Sequence, residues 1–152
     1  ADEATYNLHI MLRFEIELGL VEGSLAVADL PEIWQEKTRD YLGLTPPDDR
    51  SGVLQDIHWS DGYIGYFPTY TLGNLIAAQL WEKIRQDLPD LDRQIEQAQF
   101  SDLLAWLREK VHRHGAKYEP MELLHRITGE GLSAKPYLQY LTEKYSEIYE
   151  LG

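Results

Sequence analysis

Between Gly52 and Asn74 the chain reads GVLQDIHWSDGYIGYFPTYTLGN. Gln55, Asp56, His58, Trp59, Tyr63, Tyr66, Tyr70 and Asn74 fall in this one short stretch. Tyrosine and tryptophan bury large areas and keep a polar tip, so the aromatic residues alone suit a core. The polar residues between them need more. A buried Gln, Asp or His without a partner costs several kcal/mol, so each must be satisfied by a neighbour, by backbone or by a ligand. Asp56 and His58 are two apart and share a face in extended chain, where the carboxylate can orient the imidazole. An oriented histidine can move a proton or hold a substrate group. The same residues can equally form a closed structural network.

Other chemistries find less support. The five histidines are His9, His58, His112, His114 and His125, and no H-x-x-x-H occurs. His112 and His114 stand about 200° apart around a helix and cannot chelate one ion together. They read as surface residues in a basic patch with Arg108, Lys110 and Arg113. With no cysteine in the chain, thiolate metal sites and disulfides are both excluded. None of Ser24, Ser51, Ser60, Ser101, Ser133 and Ser146 lies in a G-x-S-x-G context. GEGLSAK, from Gly129 to Lys135, follows no strand and reads as a helix C-cap and turn rather than a phosphate loop.

The elements that must position these residues are helical. Ala4, Leu8, Met11, Leu12 and Leu18 recur at helical spacing, with Asp2, Thr5, His9, Arg13 and Glu17 as a polar stripe between them. Gly19 and Gly23 predict that this helix frays or stops. Asp29 with Pro31 predicts a capped helix carrying Ile33, Trp34, Tyr41 and Leu42 and ending at Gly43. TPPDDRSG, from Thr45 to Gly52, is a surface connection. Gly52 to Gly65 has no clean period and reads as an ordered loop, with room for a short strand pair. Pro68 opens a helix to about Leu88. Further helices follow over Leu91 to Ala98, after a Ser101/Asp102 cap, from Pro120 to Gly129, and from Lys135-Pro136 onward. The expectation is an all-α fold in a single helical domain, residues 1–152.

The 152 residues carry 14 Lys+Arg against 26 Asp+Glu, a formal net charge of -12. That field repels phosphates and anionic lipid and argues against nucleic acid as partner. No apolar run approaches the roughly 20 residues that span a bilayer, so no membrane partner is expected. ADEATYNLHI has neither the basic start nor the apolar stretch of a signal peptide. It opens without Met into a helical pattern, as in a piece of something longer.

GVLQDIHW, from Gly52 to Trp59, matches the G-x-x-Q-D-x-H-W motif of the carboxypeptidase Taq family. GYFPTYTLGN, from Gly65 to Asn74, is similar to the stretch that follows it there. Ala1 and Asp2 look like the end of that family's I/L-R-x-x-A-D motif, and the later helices resemble its C-terminal end. The resemblance implies a cytoplasmic, homodimeric, zinc-dependent metallocarboxypeptidase that removes C-terminal amino acids from peptides. The family's H-E-x-x-H motif, its glutamate ligand and its I/L-R arginine lie upstream of the matched stretch. This chain is therefore expected to be a C-terminal portion, to hold no zinc or other divalent metal, and to be inactive alone. His58 and Tyr70 become the candidate catalytic donors to a tetrahedral oxyanion or to the substrate's terminal residue. Gln55, Asp56, Trp59 and Tyr66 become the substrate-binding surround: the first two hold the loop and orient His58, the others wall the groove. A face left uncovered by the upstream part would favour a homo-oligomer. The alternative is a non-catalytic helical protein-interaction module, whose acidic balance suits a basic or amphipathic partner.

Overall fold

A computed structural model describes residues 2–151, so Ala1 of the A-D match lies outside the described residues. The order is α1 (Tyr6–Glu22), α2 (Leu30–Leu42), α3 (Phe67–Asp87), α4 (Leu91–Glu96), α5 (Ser101–Lys110), α6 (Pro120–Thr128) and α7 (Lys135–Tyr149). Short 3-10 turns lie at Val27–Asp29, Val53–Gln55 and His112–His114. Among the described residues there is no strand, and the fold is all-α. The chain forms two compact units, residues 1–72 and 73–152.

The first unit is built on an α1–α2 pair. Leu12 and Ile16 of α1 and Trp34 of α2 form its centre, and Leu20, Leu30, Ile33, Tyr41, Leu42, Val53 and Trp59 pack around them. Glu15 accepts hydrogen bonds from Lys37 Nζ and Tyr41 OH, which ties the pair at its rim. The apolar line of α1 divides in the structure. Leu12 and Ile16 are 1% and 0% exposed, whereas Met11, Phe14 and Leu18 are 44%, 42% and 43% exposed. Glu17, from the polar stripe, is buried at 4%. The partners of Arg13 and Glu17 come from the loop, as described below, and they draw that stripe inward.

Helix α1 runs unbroken through Gly19 and stops at Glu22. A Cβ on Gly19 would lie 2.5 Å from Leu25 Cδ1. The missing side chain lets the chain fold back, with Ser24 N and Leu25 N donating to Gly19 O at 2.9 and 3.0 Å. Pro31, Pro120 and Pro136 sit in the first turns of α2, α6 and α7, where a missing N–H is harmless. Asp29 stands at the start of α2 but makes no side-chain cap bond. The expected Ser101/Asp102 cap is also absent: α5 begins at Ser101, and Asp102 Oδ2 instead accepts Gln94 Nε2 at 2.6 Å.

The room left for a strand pair between Gly52 and Gly65 is filled by turns. Asp61 N donates to Ile57 O, Gly62 N to Trp59 O and Tyr63 N to His58 O at 3.0, 3.2 and 2.8 Å. Bonds that reach back three to five residues close curls and leave no ladder.

The second unit centres on Ile84, Leu91 and Trp106, with Leu80, Leu88, Ile95, Leu103, Leu107, Val111 and Ile127 around them. Trp106 Nε1 donates to Asp87 Oδ2 at 2.9 Å. Gln79, 4% exposed, donates to Gly131 O and accepts from Ser133 N at 2.9 and 2.8 Å. Its amide thus fastens the turn that the sequence GEGLSAK was expected to make. His112 and His114 fall in a 3-10 turn, with His114 against the Tyr118 ring.

The divided apolar line of α1 separates two substitutions of similar chemistry. Ile16→Ala should lower the unfolding free energy of the chain by about 3 kcal/mol, because it leaves a cavity in the core. Met11→Ala, on an exposed position of the same helix, should stay within about 0.5 kcal/mol of the parent. Urea unfolding followed by circular dichroism measures both.

Candidate functional site

In the first unit, α1 presents His9, Arg13 and Glu17 at four-residue steps, so all three project from one face. The Gly52–Tyr66 loop folds over that face. Arg13 Nε donates to Asp56 Oδ2 at 2.5 Å, and its Nη1 donates to His9 O at 2.7 Å. The guanidinium also stacks 4.7 Å above the Trp34 ring. One helix carbonyl and a tryptophan face therefore hold this cation in place.

The Asp56 side chain is 4% exposed and spends its other oxygen on His58. Oδ1 accepts the His58 backbone N–H at 3.0 Å and lies 2.6 Å from His58 Nδ1. Burial pushes the Asp56 carboxyl up, but the Arg13 guanidinium, the His58 N–H and the His58 ring outweigh it. The group ends below the usual carboxylate range. An ionised carboxylate only accepts, so Nδ1 of His58 must carry a proton. The remaining ring nitrogen, Nε2, lies 3.0 Å from Tyr70 OH. Tyr70 stands on the first turn of α3, and the hydroxyl of Thr71 next to it donates to Asn7 Oδ1 at 2.9 Å. Burial, reinforced by Tyr66, Tyr6 and Asp56, raises the Tyr70 hydroxyl above its ordinary value.

A second carboxylate organises the rest of the loop. Trp59 Nε1 donates to Glu17 Oε2 at 3.0 Å, and Gly65 N donates to Glu17 Oε1 at 2.8 Å. Gly65 has φ 77°, a left-handed turn that aims its N–H at the carboxylate and that a side chain would strain. Trp59 meets Trp34 edge-on at 6.3 Å and Phe67 at 5.9 Å, while Phe67 is fully buried against the His58 ring at 4.7 Å. Tyr66 packs on Tyr70 at 5.3 Å and is 44% exposed.

The structure therefore brings Asp56, His58, Tyr66 and Tyr70 together, with His58 about a quarter exposed and facing outward beside the two tyrosines. Trp59 turns inward toward Glu17 and Trp34. Gln55 stands apart: it is exposed, and its side-chain amide donates to Arg50 O at 2.5 Å, tying the preceding turn. Arg13 and Glu17 are the residues that sequence reasoning missed as members of the site. Their signal was the four-residue spacing within a polar stripe, but their partners lie 42 to 48 residues away.

Among the described residues no group of three or more His, Asp or Glu is placed to hold a metal ion. At the site itself, both Asp56 oxygens and both His58 nitrogens already have protein partners. This donor set does not fit a metal.

The family model described as Carboxypeptidase Taq (M32) metallopeptidase matches residues 1–145. The chain belongs to that family. Among carboxypeptidase Taq relatives, it is 50% identical over 149 residues to thermostable carboxypeptidase 1 of Thermus thermophilus, 98% of this chain and 29% of that protein. It is 46% identical over 151 residues to carboxypeptidase 1 of Bacillus subtilis, 99% of this chain and 30% of that protein. The crystal structure of an M32 carboxypeptidase from Deinococcus radiodurans matches with a TM-score of 0.95 and 46% identity, covering 99% of this chain and 31% of that one. The chain thus spans about 30% of the length of these carboxypeptidase Taq relatives.

The Asp56 geometry sets a pH dependence. Its folded pKa lies below the ordinary value of 3.8, so its contribution to stability is complete above that value and is lost as pH falls through the folded one. Asp56→Asn removes this contribution and sets an amide donor against the Arg13 and His58 donors. Unfolding free energies measured from pH 7 down to pH 2.5 should show the variant less stable than the parent at pH 7, with the gap narrowing in acid.

Proposed function

We propose that this chain is the substrate-facing portion of a metallocarboxypeptidase that removes C-terminal amino acids from peptides. The observation that carries the reading is the His58–Tyr70 pair, oriented by Asp56 and facing outward within the family's G-x-x-Q-D-x-H-W segment. In family-length enzymes a bound divalent metal, zinc in this proposal, supplies the activated water and the polarised carbonyl. Its ligands then lie outside this chain. What the chain contributes is hydrogen bonding and shape. Tyr70 and His58 form a hydrogen-bonded pair at the surface where a peptide's terminal residue or developing oxyanion would lie. Tyr66 walls the same patch. Asp56 orients the imidazole, and Gln55 and Trp59 keep the loop in form. A cytoplasmic location belongs to the same reading, and a sequence free of cysteine is compatible with it.

The purified 152-residue chain, incubated with peptide and Zn²⁺ or Co²⁺, should release no C-terminal residue by mass spectrometry. Metal-dependent release by the chain alone would contradict the proposal that the metal ligands lie elsewhere. In a family-length enzyme carrying this segment, Tyr70→Phe or His58→Ala should lower kcat/KM by about 10²-fold, the scale of one oxyanion donor. Unchanged turnover in both variants would remove these two residues from the chemistry.

Self-association is part of the reading. Met11, Phe14, Leu18 and Val21 recur along one side of α1 and are all exposed, Val21 at 67%. Sedimentation velocity should show a dimer that grows with concentration and is lost in Phe14→Glu/Leu18→Glu. A monomer at every concentration would withdraw the homo-oligomer.

A further inference from the structure

The line Arg13–Asp56–His58–Tyr70 has a fixed hydrogen-bond polarity, and that polarity decides what the site can offer a ligand. Arg13 is a permanent donor, held by His9 O and the Trp34 ring. Asp56, as an ionised acceptor, gives one oxygen to Arg13 and the other to the His58 backbone and ring. The His58 Nδ1 proton follows in either charge state of the ring. When His58 is neutral, Nε2 is a lone pair, and the contact at 3.0 Å requires Tyr70 to donate its hydroxyl proton inward. His58 and Tyr70 are then not two independent donors. Neither has a proton to spare for a substrate.

A second proton on His58 reverses the last link. The proton, taken from solvent, sits on Nε2 and is donated to Tyr70 Oη, and the Tyr70 O–H turns to the surface. Arg13 takes one Asp56 oxygen and His58 the other, so the carboxylate that aligns the ring is itself fixed from the helix side. The titratable groups facing this line are Asp56, Tyr63 and Tyr66 from the loop, Tyr70 in the first turn of α3, and Tyr6, His9 and Arg13 from α1.

We propose that Arg13 is a positioning residue that, by clamping Asp56, fixes the proton of the His58 ring on Nδ1, so that the Tyr70 hydroxyl is turned inward onto a neutral ring and reaches a ligand only when Nε2 carries a proton. The inference deepens the reading of His58 and Tyr70 as substrate-facing groups. Its test needs no metal, peptide or turnover, so it can fail while the peptidase reading stands, and the reverse.

The experiment is nitrogen-edited NMR of the His58 ring in the 152-residue chain across pH. The neutral ring should carry its proton on Nδ1 in the parent. Arg13→Met should free the Asp56 carboxylate, so that the neutral ring samples both tautomers and its Nδ1 and Nε2 signals move toward each other. Arg13→Lys, which keeps a donor to Asp56, should restore the parent pattern. A role confined to stability would lower the unfolding free energy and leave the tautomer unchanged, and that result overturns the proposal. If Arg13→Met does not fold, Arg13→Gln is read in its place, and a parent ring protonated on Nε2 overturns the proposal equally.

Discussion

Two carboxylates, Glu17 and Asp56, are almost removed from water between one helix and one loop. A buried charge without partners is too costly to persist, so every oxygen must find a donor. That requirement shapes the first unit. The loop has no ladder of its own, and its short turns leave many arrangements open. Four donors narrow them: the Arg13 guanidinium and the His58 N–H on Asp56, the Trp59 indole and the Gly65 N–H on Glu17. With these in place Phe67 and Trp59 lie against the core, while Tyr63 and Tyr66 stay exposed. The orientation of His58 is a by-product of keeping Asp56 charged.

Much of the helical frame was legible in the sequence because its signals are local. Gly43 and Gly129 end α2 and α6, and proline marks the openings of three helices, where expected. The pairing of Asp56 with His58 was also legible, since two residues of separation allow it in almost any loop. What was not legible depends on distant partners. Arg13 and Glu17 read as an ordinary polar stripe, and nothing within a helical turn reveals that a loop more than forty residues away will cover them. For the same reason the apolar line of α1 gave no hint that Met11 and Leu18 would stay outside while Leu12 went in. Gln55 and Trp59 stood beside His58 in the motif, but sequence adjacency in a turn-rich loop places neighbours on different sides.

In this carboxypeptidase Taq chain the same constraints close the site on itself. The segment contains no cluster that suits a metal among its described residues, and its polar groups at the site are already mutually satisfied. Such a network is held in place before any ligand arrives, and in the proposed reading only the Tyr70 O–H has to turn. The cation that makes this possible, Arg13, is itself braced by a helix carbonyl and an indole face, so little conformational freedom remains to be lost on binding.

The Glu17 carboxylate leaves its position little room to drift over evolutionary time. Shortening it to aspartate withdraws the oxygens by about 1.5 Å, one carbon–carbon bond, which breaks contacts to the indole and the glycine amide together. Glutamine keeps the length but turns an amino group toward one of two N–H donors. Changing Trp59 first strands one oxygen, and changing Gly65 bends the turn that serves the other. These three positions, far apart in the chain, can be altered without loss only in concert, so they are expected to travel through descent as a single inherited unit.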